Sequence, residues 1–187
     1  MLAFALRADG WFLRQDIIWS KPNPMPESVR DRCTKAHEYL FLLSKGPRYY
    51  FDASEIAEKS ETYGRQNTNG PSAKVVAARA DGLGYPKKDA YSYETRNKRS
   101  VWEVATQPFS EAHFATYPPA LIEPCILAGC PVGGTVLDPF GGAGTTGLVA
   151  DRLQRDAILI ELNPEYAAIA ERRLSSDGGM FSEVLAA

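Results

Sequence analysis

The stretch VLDPFGGAGTTG, from Val136 to Gly147, decides how the second half of the chain folds. A short apolar run over residues 135–137 predicts a strand, and Asp138 ends it. The glycine-rich segment that follows predicts a tight turn, because glycine reaches positive φ at little cost and lets the backbone come close to a ligand. A helix-compatible run then extends from Thr145 to Arg155. These features predict an α/β unit whose Asp138 points into the crevice where open α/β sheets bind ligands.

A second strand and a second helix follow at once. Residues 157–160, AILI, predict a buried strand that ends in Glu161. Asn163 is predicted as the N-cap of the next helix and Pro164 as its first residue, and apolar residues keep helical spacing as far as Leu174. Both strands therefore end in an acidic residue, and the second acid is placed to accept hydrogen bonds from a ribose.

The ligand of this unit has three interpretations from the residues alone. Gly142, Gly144 and Gly147 match the G-x-G-x-x-G pattern of dinucleotide-binding proteins, although that pattern alone is weakly specific. Asp138 instead places a carboxylate where a pyrophosphate-binding loop disfavours one, and it suits a cationic ligand such as the ammonium and sulfonium of S-adenosylmethionine. A glycine turn without a ligand is the third interpretation, and the coincidence of two strand-end acids with the loop argues against it.

Several segments resemble one enzyme family in the order expected for it. Residues 137–147 and 160–166 resemble motifs I and II of the DNA amino-methyltransferases that act on N4 of cytosine or N6 of adenine. Residues 113–118, HFATYP, resemble motif X, which precedes motif I in the permuted class of this family. Residues 16–24 and 32–39 resemble late catalytic-half segments of that class. The resemblance covers most of the chain outside about 55–100, and it implies a Rossmann-like methyltransferase fold of the α/β class.

The resemblance also implies a cofactor, S-adenosylmethionine, and the residues that would hold it. Asp138 would meet its amino-acid end and Glu161 its ribose hydroxyls. The residues that would line its methionine end are Phe114, Ala115, Thr116 and Pro118. Phe114 and Tyr117 are interpreted nearly as well as plain core aromatics. The implied cofactor-binding residues are Phe114, Thr116, Pro118, Asp138, Phe140, Gly142, Gly144, Thr145 and Glu161.

The family's reaction depends on a tetrapeptide that the 187 residues do not contain. In the family, Asp, Ser or Asn followed by Pro-Pro-aromatic accepts hydrogen bonds from the target amino group and stacks on the flipped base. Residues 117–120, YPPA, lack both the polar and the aromatic residue, and residues 163–166, NPEY, have Glu165 in place of proline. The expectation is therefore a C-terminal portion of a methyltransferase with central strands missing, without an assigned catalytic residue and poorly active alone. The alternatives are a non-catalytic remnant and one half of a split enzyme that needs a separate N-terminal half.

Three regions are predicted: 1–52 as the late part of the catalytic half, 53–105 as an inserted, irregular target-recognition lobe, and 106–187 as the cofactor-binding half.

Residues 59–99 contain nine Lys or Arg against four Asp or Glu, whereas residues 100–187 contain four Lys or Arg against eleven Asp or Glu. Tyrosines among these cations suit phosphate contact and base stacking on double-stranded DNA, although a solvated loop explains the charge equally well. Arg32 has the alternative of an ion pair with Asp31 or Glu38. The DNA-binding candidates are Lys21, Asn23, Arg30, Arg32, Arg65, Lys87, Lys88 and Arg99.

The remaining elements are predicted from local patterns. Residues 2–8 predict a helix, 11–19 and 38–43 two strands that pair antiparallel, 101–104 a short strand, and 119–128 a helix. The tail from Ser175 is expected to be loose, with residues 177–179 unordered unless they dock against the rest of the chain.

The composition argues against a disordered protein and against a membrane-spanning one. A net charge of -2, with 44% hydrophobic and 24% charged residues, indicates a globular chain. Three cysteines without a C-x-x-C pair predict no metal site and a reducing, cytoplasmic location, and no signal peptide or apolar run of membrane-spanning length is evident. The choice between cytosine and adenine, the recognised DNA sequence and the oligomeric state do not follow from the sequence.

Overall fold

The computed structural model describes residues 2–60, 94–107, 116–178 and 183–185. Contacts divide the chain into two compact units, of which one combines Met1–Ile56 with Arg99–Ala187 and the other is Ala57–Lys98. The described residues form four helices and seven strands. Their order is α1 (Leu2–Ala8), β1 (Phe12–Ser20), β2 (His37–Ser44), β3 (Glu58–Lys59), β4 (Thr95–Arg96), β5 (Val101–Glu103), α2 (Pro119–Gly129), β6 (Thr135–Asp138), α3 (Thr145–Arg152), β7 (Asp156–Leu159) and α4 (Pro164–Asp177).

The first sheet has the strand order β2-β1-β5. β1 runs antiparallel to β2, which confirms the predicted pairing, and it runs parallel to β5. Ile18 lies between Tyr39 of β2 and Val101 of β5 in register, so these three side chains form a row across one face. On the other face Trp19 is buried, and its indole N–H donates to the Val104 carbonyl at 2.7 Å.

The second sheet pairs β6 with β7 in parallel. On one face Val136 packs against a core that includes Val149 of α3. On the other face Leu137 and Ile158 are direct neighbours in register, and they are 61% and 55% exposed. A parallel sheet is normally covered on both faces, so this open apolar face is unusual for the α/β class.

Helix α2 supports both sheets. Its residue Leu121 belongs to a buried cluster with Trp19 and Trp102, which come from β1 and β5. Further along the helix, Ile126 belongs to the cluster with Val149 beneath β6 and β7. One helix therefore sets the position of the two sheets relative to each other within the first unit.

Unit two is described only near its two ends. There β3 and β4 pair antiparallel, with Glu58 opposite Arg96. The Arg96 and Lys98 side chains both form ion pairs with the Glu58 carboxylate, at 3.5 and 3.9 Å. The predicted boundaries of the target-recognition region, 53 and 105, remain a prediction.

Two predicted helix ends are wrong, and tertiary contacts explain one of them. Helix α4 continues to Asp177, although a loose tail was expected from Ser175. Arg152 donates from Nε and Nη2 to the two carboxylate oxygens of Asp177 at 2.7 and 2.6 Å, which ties the last turn of α4 to α3. Helix α3 ends at Arg152 rather than Arg155, because Gln154 adopts a left-handed φ of 61° that a helix does not contain.

Candidate cofactor site

Two carboxylates lie at the same edge of the second sheet. Asp138 is the last residue of β6, and Glu161 follows β7 by two residues. Because β6 and β7 are parallel, their carboxyl ends meet at one edge. The Phe140 N–H donates to Asp138 Oδ1 at 3.0 Å, and the Gly142 N–H donates to Glu161 Oε2 at 2.8 Å. The glycine loop is thus held by both acids.

The glycine loop fits tightly between β7 and α4. Gly142 and Gly144 have φ of 51° and 78°, the left-handed region that glycine enters freely. A Cβ on Gly144 would lie 2.9 Å from the Ala170 Cβ, and one on Gly141 would lie 3.0 Å from the Leu159 Cβ. Gly141 and Gly144 therefore allow β7 and α4 to pack closely on the loop, whereas a Cβ at Gly142 would meet only the Phe140 carbonyl oxygen, at 3.9 Å. Gly142 is thus the loop glycine beside which a ligand has room to approach.

Asp138 is held by two hydroxyl groups as well as by the loop. The Thr146 hydroxyl donates to Asp138 Oδ2, and the Tyr117 hydroxyl donates to the same oxygen at 3.1 Å. The two hydroxyls also contact each other. Burial, reinforced by the negative charge of Asp138, raises the pKa of Tyr117 to about 12. The Tyr117 hydroxyl therefore keeps its proton at neutral pH and remains a hydrogen-bond donor.

Glu161 is oriented entirely by backbone groups. Its Oε1 accepts from the Asn163 N–H at 2.8 Å, and its Oε2 accepts from the Gly142 N–H. Asn163 in turn caps α4, because its side chain accepts from the Glu165 N–H at 2.9 Å, which confirms the predicted N-cap. A carboxylate oxygen has two acceptor positions, so Glu161 retains capacity for the hydroxyls of a ligand.

Apolar surface accompanies the two acids. Phe140 is 84% exposed two residues after Asp138, and Leu162 is 95% exposed directly after Glu161. Carboxylates next to exposed apolar side chains suit a ligand that combines an aromatic base, a ribose and a cationic group. Among the described residues, no group of three or more His, Cys, Asp or Glu side chains is placed to hold a metal ion.

Comparison with known proteins decides the family. A family model for N6/N4 methyltransferases, described as DNA methylase, matches residues 1–172. The chain belongs to the N6/N4 DNA methylase family. It is 47% identical to the type II methyltransferase M.SmaI of Serratia marcescens, over 92% of this chain and 50% of that protein. It is 46% identical to M.Cfr9I of Citrobacter freundii, over 94% of this chain and 49% of that protein.

The chain spans about half the length of these curated relatives of the DNA methylase family. Solved structures agree with the α/β fold. The M1.HpyAVI–SAM complex matches with a TM-score of 0.61 and 25% identity, over 92% of this chain and 67% of that one. The cytosine-N4-specific PvuII DNA methyltransferase matches with a TM-score of 0.64 and 21% identity, over 90% of this chain and 53% of that one.

Other candidate residues of this DNA methylase occupy more enclosed positions. Pro118 is fully buried as the residue that caps α2, and Thr116 is half-buried. Thr145 is buried, and its hydroxyl lies 3.4 Å from Arg173 Nη1. Phe114 lies outside the described residues.

Several of the DNA-binding candidates make contacts within the chain, including Arg99, whose carbonyl accepts from the Trp102 indole N–H at 2.7 Å. Lys21 forms an ion pair with Glu38, and its ammonium lies 4.4 Å from the centroid of the Trp19 ring. Asn23 exchanges two hydrogen bonds with the backbone of Thr106, at 3.1 and 2.9 Å. Arg32 lies 3.4 Å from Glu27 and 3.9 Å from Asp31, in agreement with the ion-pair alternative. Arg30 and Arg99 are exposed, whereas Arg65, Lys87 and Lys88 lie outside the described residues.

Sequence reasoning missed the two hydroxyls on Asp138. Thr146 lies in the glycine-rich stretch, directly beside the predicted Thr145, and its position eight residues after Asp138 was the available signal. Tyr117 precedes Asp138 by 21 residues and comes from a different segment, so only the resemblance to motif X pointed to its neighbourhood.

No helix among the described residues combines the length and the apolar character needed to cross a bilayer.

Proposed function

We propose that the chain forms the cofactor-binding part of a DNA methyltransferase that uses S-adenosylmethionine to methylate the exocyclic amino group of cytosine or adenine. The observation that carries this proposal is the pair of carboxylates at adjacent parallel strand ends, tied together by one glycine loop. The names of its relatives support it, because M.SmaI and M.Cfr9I are type II methyltransferases, which act in restriction-modification systems.

The described residues suit the parts of the cofactor. Asp138 would accept from the ammonium of the amino-acid end, and Glu161 would accept from the ribose hydroxyls. Gly142 would allow close backbone approach, and the exposed Phe140 would offer apolar surface to the base. When bound, S-adenosylmethionine supplies an electrophilic methyl group. What this chain contributes is the position of that methyl group.

A nicotinamide or flavin dinucleotide fits this site less well. The Asp138 carboxylate lies at the turn where the pyrophosphate of a dinucleotide would bind, and like charges would repel there. The same carboxylate attracts the cationic end of S-adenosylmethionine. A variant that removes the charge of Asp138 should therefore weaken the binding of S-adenosylmethionine and strengthen the binding of a dinucleotide.

Methyl transfer requires a segment that carries the Pro-Pro tetrapeptide, which the 187 residues lack. In the described residues, β2 and β5 of the first sheet and β6 and β7 of the second are each paired along one edge only. Both sheets pack on α2, and both show exposed apolar side chains on one face, Tyr39 and Phe41 on β2 and Leu137 on β6. These features support a complementary segment that adds strands between β2 and β6 and completes one sheet. The order of the motifs supports the permuted class.

Double-stranded DNA is the proposed substrate, and the basic region around residues 59–99 is the proposed target-recognition surface. Its excess of cations over acids supports phosphate contact. The engaged side chains of Lys21, Asn23 and Arg32 give the loop after β1 a structural role besides any contact with DNA. A non-catalytic subunit that binds cofactor or DNA is the second candidate, and the absence of the tetrapeptide from these residues favours it.

The first test is calorimetric titration of the purified chain with S-adenosylmethionine. We expect saturable binding that Asp138→Ala abolishes, whereas Glu171→Ala, which removes an exposed acid from α4, leaves it unchanged. NADH should not bind. Absence of S-adenosylmethionine binding by the folded chain would refute the proposed cofactor site.

The second test measures transfer of a radiolabelled methyl group to unmethylated DNA. We expect none with the chain alone, and transfer after a segment that carries the tetrapeptide is added. Transfer by the chain alone would show that the tetrapeptide is dispensable. No transfer by the mixture, in spite of cofactor binding, would favour the non-catalytic subunit.

A further inference from the structure

Tyr117 connects two parts of the fold that are otherwise built from different strands. Its ring packs against the buried cluster of Trp19, Trp102 and Leu121, which belongs to the first sheet and α2. Its hydroxyl reaches Asp138 at the end of β6, in the second sheet. The ring and the hydroxyl therefore serve different neighbours, and their contributions can be separated by experiment.

The hydrogen bonds around Asp138 distinguish its two oxygens. Oδ2 accepts from the Thr146 hydroxyl and lies 3.1 Å from the Tyr117 hydroxyl, which also contacts the Thr146 hydroxyl, so the two hydroxyls together cover this oxygen. Oδ1 accepts from the Phe140 N–H at 3.0 Å and retains its second acceptor position. The carboxylate is thus held in one orientation, with its remaining capacity on Oδ1.

We propose that Tyr117 is a positioning residue of the cofactor site, whose hydroxyl occupies Oδ2 of Asp138 together with Thr146 and thereby directs Oδ1 to the amino-acid end of S-adenosylmethionine. The inference rests on the proposed function, because it assigns Asp138 to that end of the cofactor. The Tyr117 hydroxyl stays protonated and able to donate throughout the neutral range, because burial raises its pKa further above neutrality.

The proposal distinguishes ligands by the part that Asp138 would contact. S-adenosylmethionine and S-adenosylhomocysteine both carry the amino-acid end, whereas 5′-methylthioadenosine has the same adenosine without it. A hydroxyl that only stabilises the fold affects all three ligands alike. A hydroxyl that orients Asp138 affects the first two and spares the third.

The experiment is calorimetric titration of the full chain and its Tyr117→Phe variant with these three ligands. Phenylalanine keeps the ring in its cluster and removes only the hydroxyl. We expect about ten-fold weaker binding of S-adenosylmethionine and S-adenosylhomocysteine, a usual size for coupling between residues in one hydrogen-bond network, with 5′-methylthioadenosine unchanged. Tyr49→Phe is the matched control, because it removes the hydroxyl of an exposed tyrosine that follows β2. This variant should leave the affinity for all three ligands unchanged.

Two further variants keep the proposal open to refutation if Tyr117→Phe folds poorly. Thr146→Val removes the second hydroxyl from Oδ2 without altering Tyr117, and it should show the same ligand-selective loss. In an Asp138→Asn background, Tyr117→Phe should cost no further affinity, because the group it orients has lost its charge.

The outcomes separate this inference from the proposed function. Equal losses for all three ligands, or no loss for S-adenosylmethionine, overturn the positioning role while leaving the cofactor site in place. Failure of the unaltered chain to bind any of the three ligands refutes the cofactor site itself, and the positioning role with it.

Discussion

The backbone N–H of Gly142 donates a hydrogen bond of 2.8 Å to the carboxylate of Glu161, 19 residues further along the chain. This bond joins the glycine loop after β6 to the acid that follows β7. The side chain proposed to receive the ribose is therefore the same one that shapes the loop around it. Loop geometry and ligand affinity should respond together when this carboxylate is changed.

Glu161→Gln tests that link. The amide nitrogen of glutamine cannot accept a hydrogen bond, so either the Gly142 or the Asn163 N–H loses its acceptor, and the negative charge disappears. We expect S-adenosylmethionine to bind about ten-fold more weakly or worse. Titration calorimetry measures this, with Glu171→Gln on the exposed side of α4 as the control. Equal affinity of Glu161→Gln and the unaltered chain would contradict the role of Glu161.

Gly144→Ala should destabilise the chain. Its φ of 78° is strained for alanine, and the new Cβ would lie 2.9 Å from the Ala170 Cβ on α4. We expect a loss of about 2–4 kcal/mol in the free energy of unfolding, from backbone strain and overpacking together. Urea denaturation measures it. Gly129→Ala is the matched control, because no atom lies within 4 Å of a Cβ at that position. Equal effects of the two substitutions would show that the loop relaxes without cost.

Arg155→Met should also lower stability. The buried guanidinium donates from Nε and Nη2 to the carbonyl of Cys130, the residue that caps the C-terminus of α2. Removing it leaves a buried carbonyl without its donor and a helix end without its cation, at a cost of about 2–4 kcal/mol. Arg155→Lys should recover part of the loss, because lysine keeps the charge without the planar fork. Arg7→Met, the same substitution at an exposed position, is the control, and it should leave the free energy of unfolding nearly unchanged in the same denaturation experiment.

The Arg152–Asp177 pair should make stability depend on pH in a defined direction. The hydrogen bond from Arg152, with its positive charge, lowers the pKa of Asp177 below the usual 3.8. A carboxyl with a lowered folded-state pKa contributes stability above its unfolded pKa, and that contribution is lost as pH falls through the folded-state pKa. We expect Asp177→Asn to lower the thermal midpoint slightly at about pH 7 and to match the unaltered chain in strong acid. A difference that persists in strong acid would assign the effect to packing instead.

Local patterns predicted much of the fold because the contacts that decide those features are short-range. The Asn163 side chain caps α4 by a bond to Glu165, only two residues away, and the antiparallel β1 and β2 follow from their apolar and aromatic runs. The contacts that were missed join distant residues. Asn23 and Thr106 are 83 residues apart, and Tyr117 and Asp138 are 21 apart. No spacing rule connects such pairs, because the tertiary fold alone brings them together.

The end of α4 shows how such a distant contact overrides a local preference. Ser175, Ser176 and Asp177 are weak helix formers, and they predicted a frayed tail. The bidentate pair with Arg152, 25 residues earlier, keeps Asp177 in the helix. The polar loop after β1 carries the same lesson for function. Its Asn23 was predicted to face DNA and its Arg32 to meet phosphates, and both side chains also contact neighbours within the chain, so their predicted role at DNA stays a prediction.

The open face of β6 and β7 has a consequence for handling the protein in the laboratory. Leu137 and Ile158 present adjoining apolar surface to water, beside the edge of β6 that has no strand partner in the described part of the chain. Such surfaces favour edge-to-edge and face-to-face association between copies of a chain. Light scattering should therefore rise with protein concentration, and Leu137→Lys should suppress the rise. Titrations are best performed at the lowest workable concentration, since self-association would otherwise compete with ligand binding.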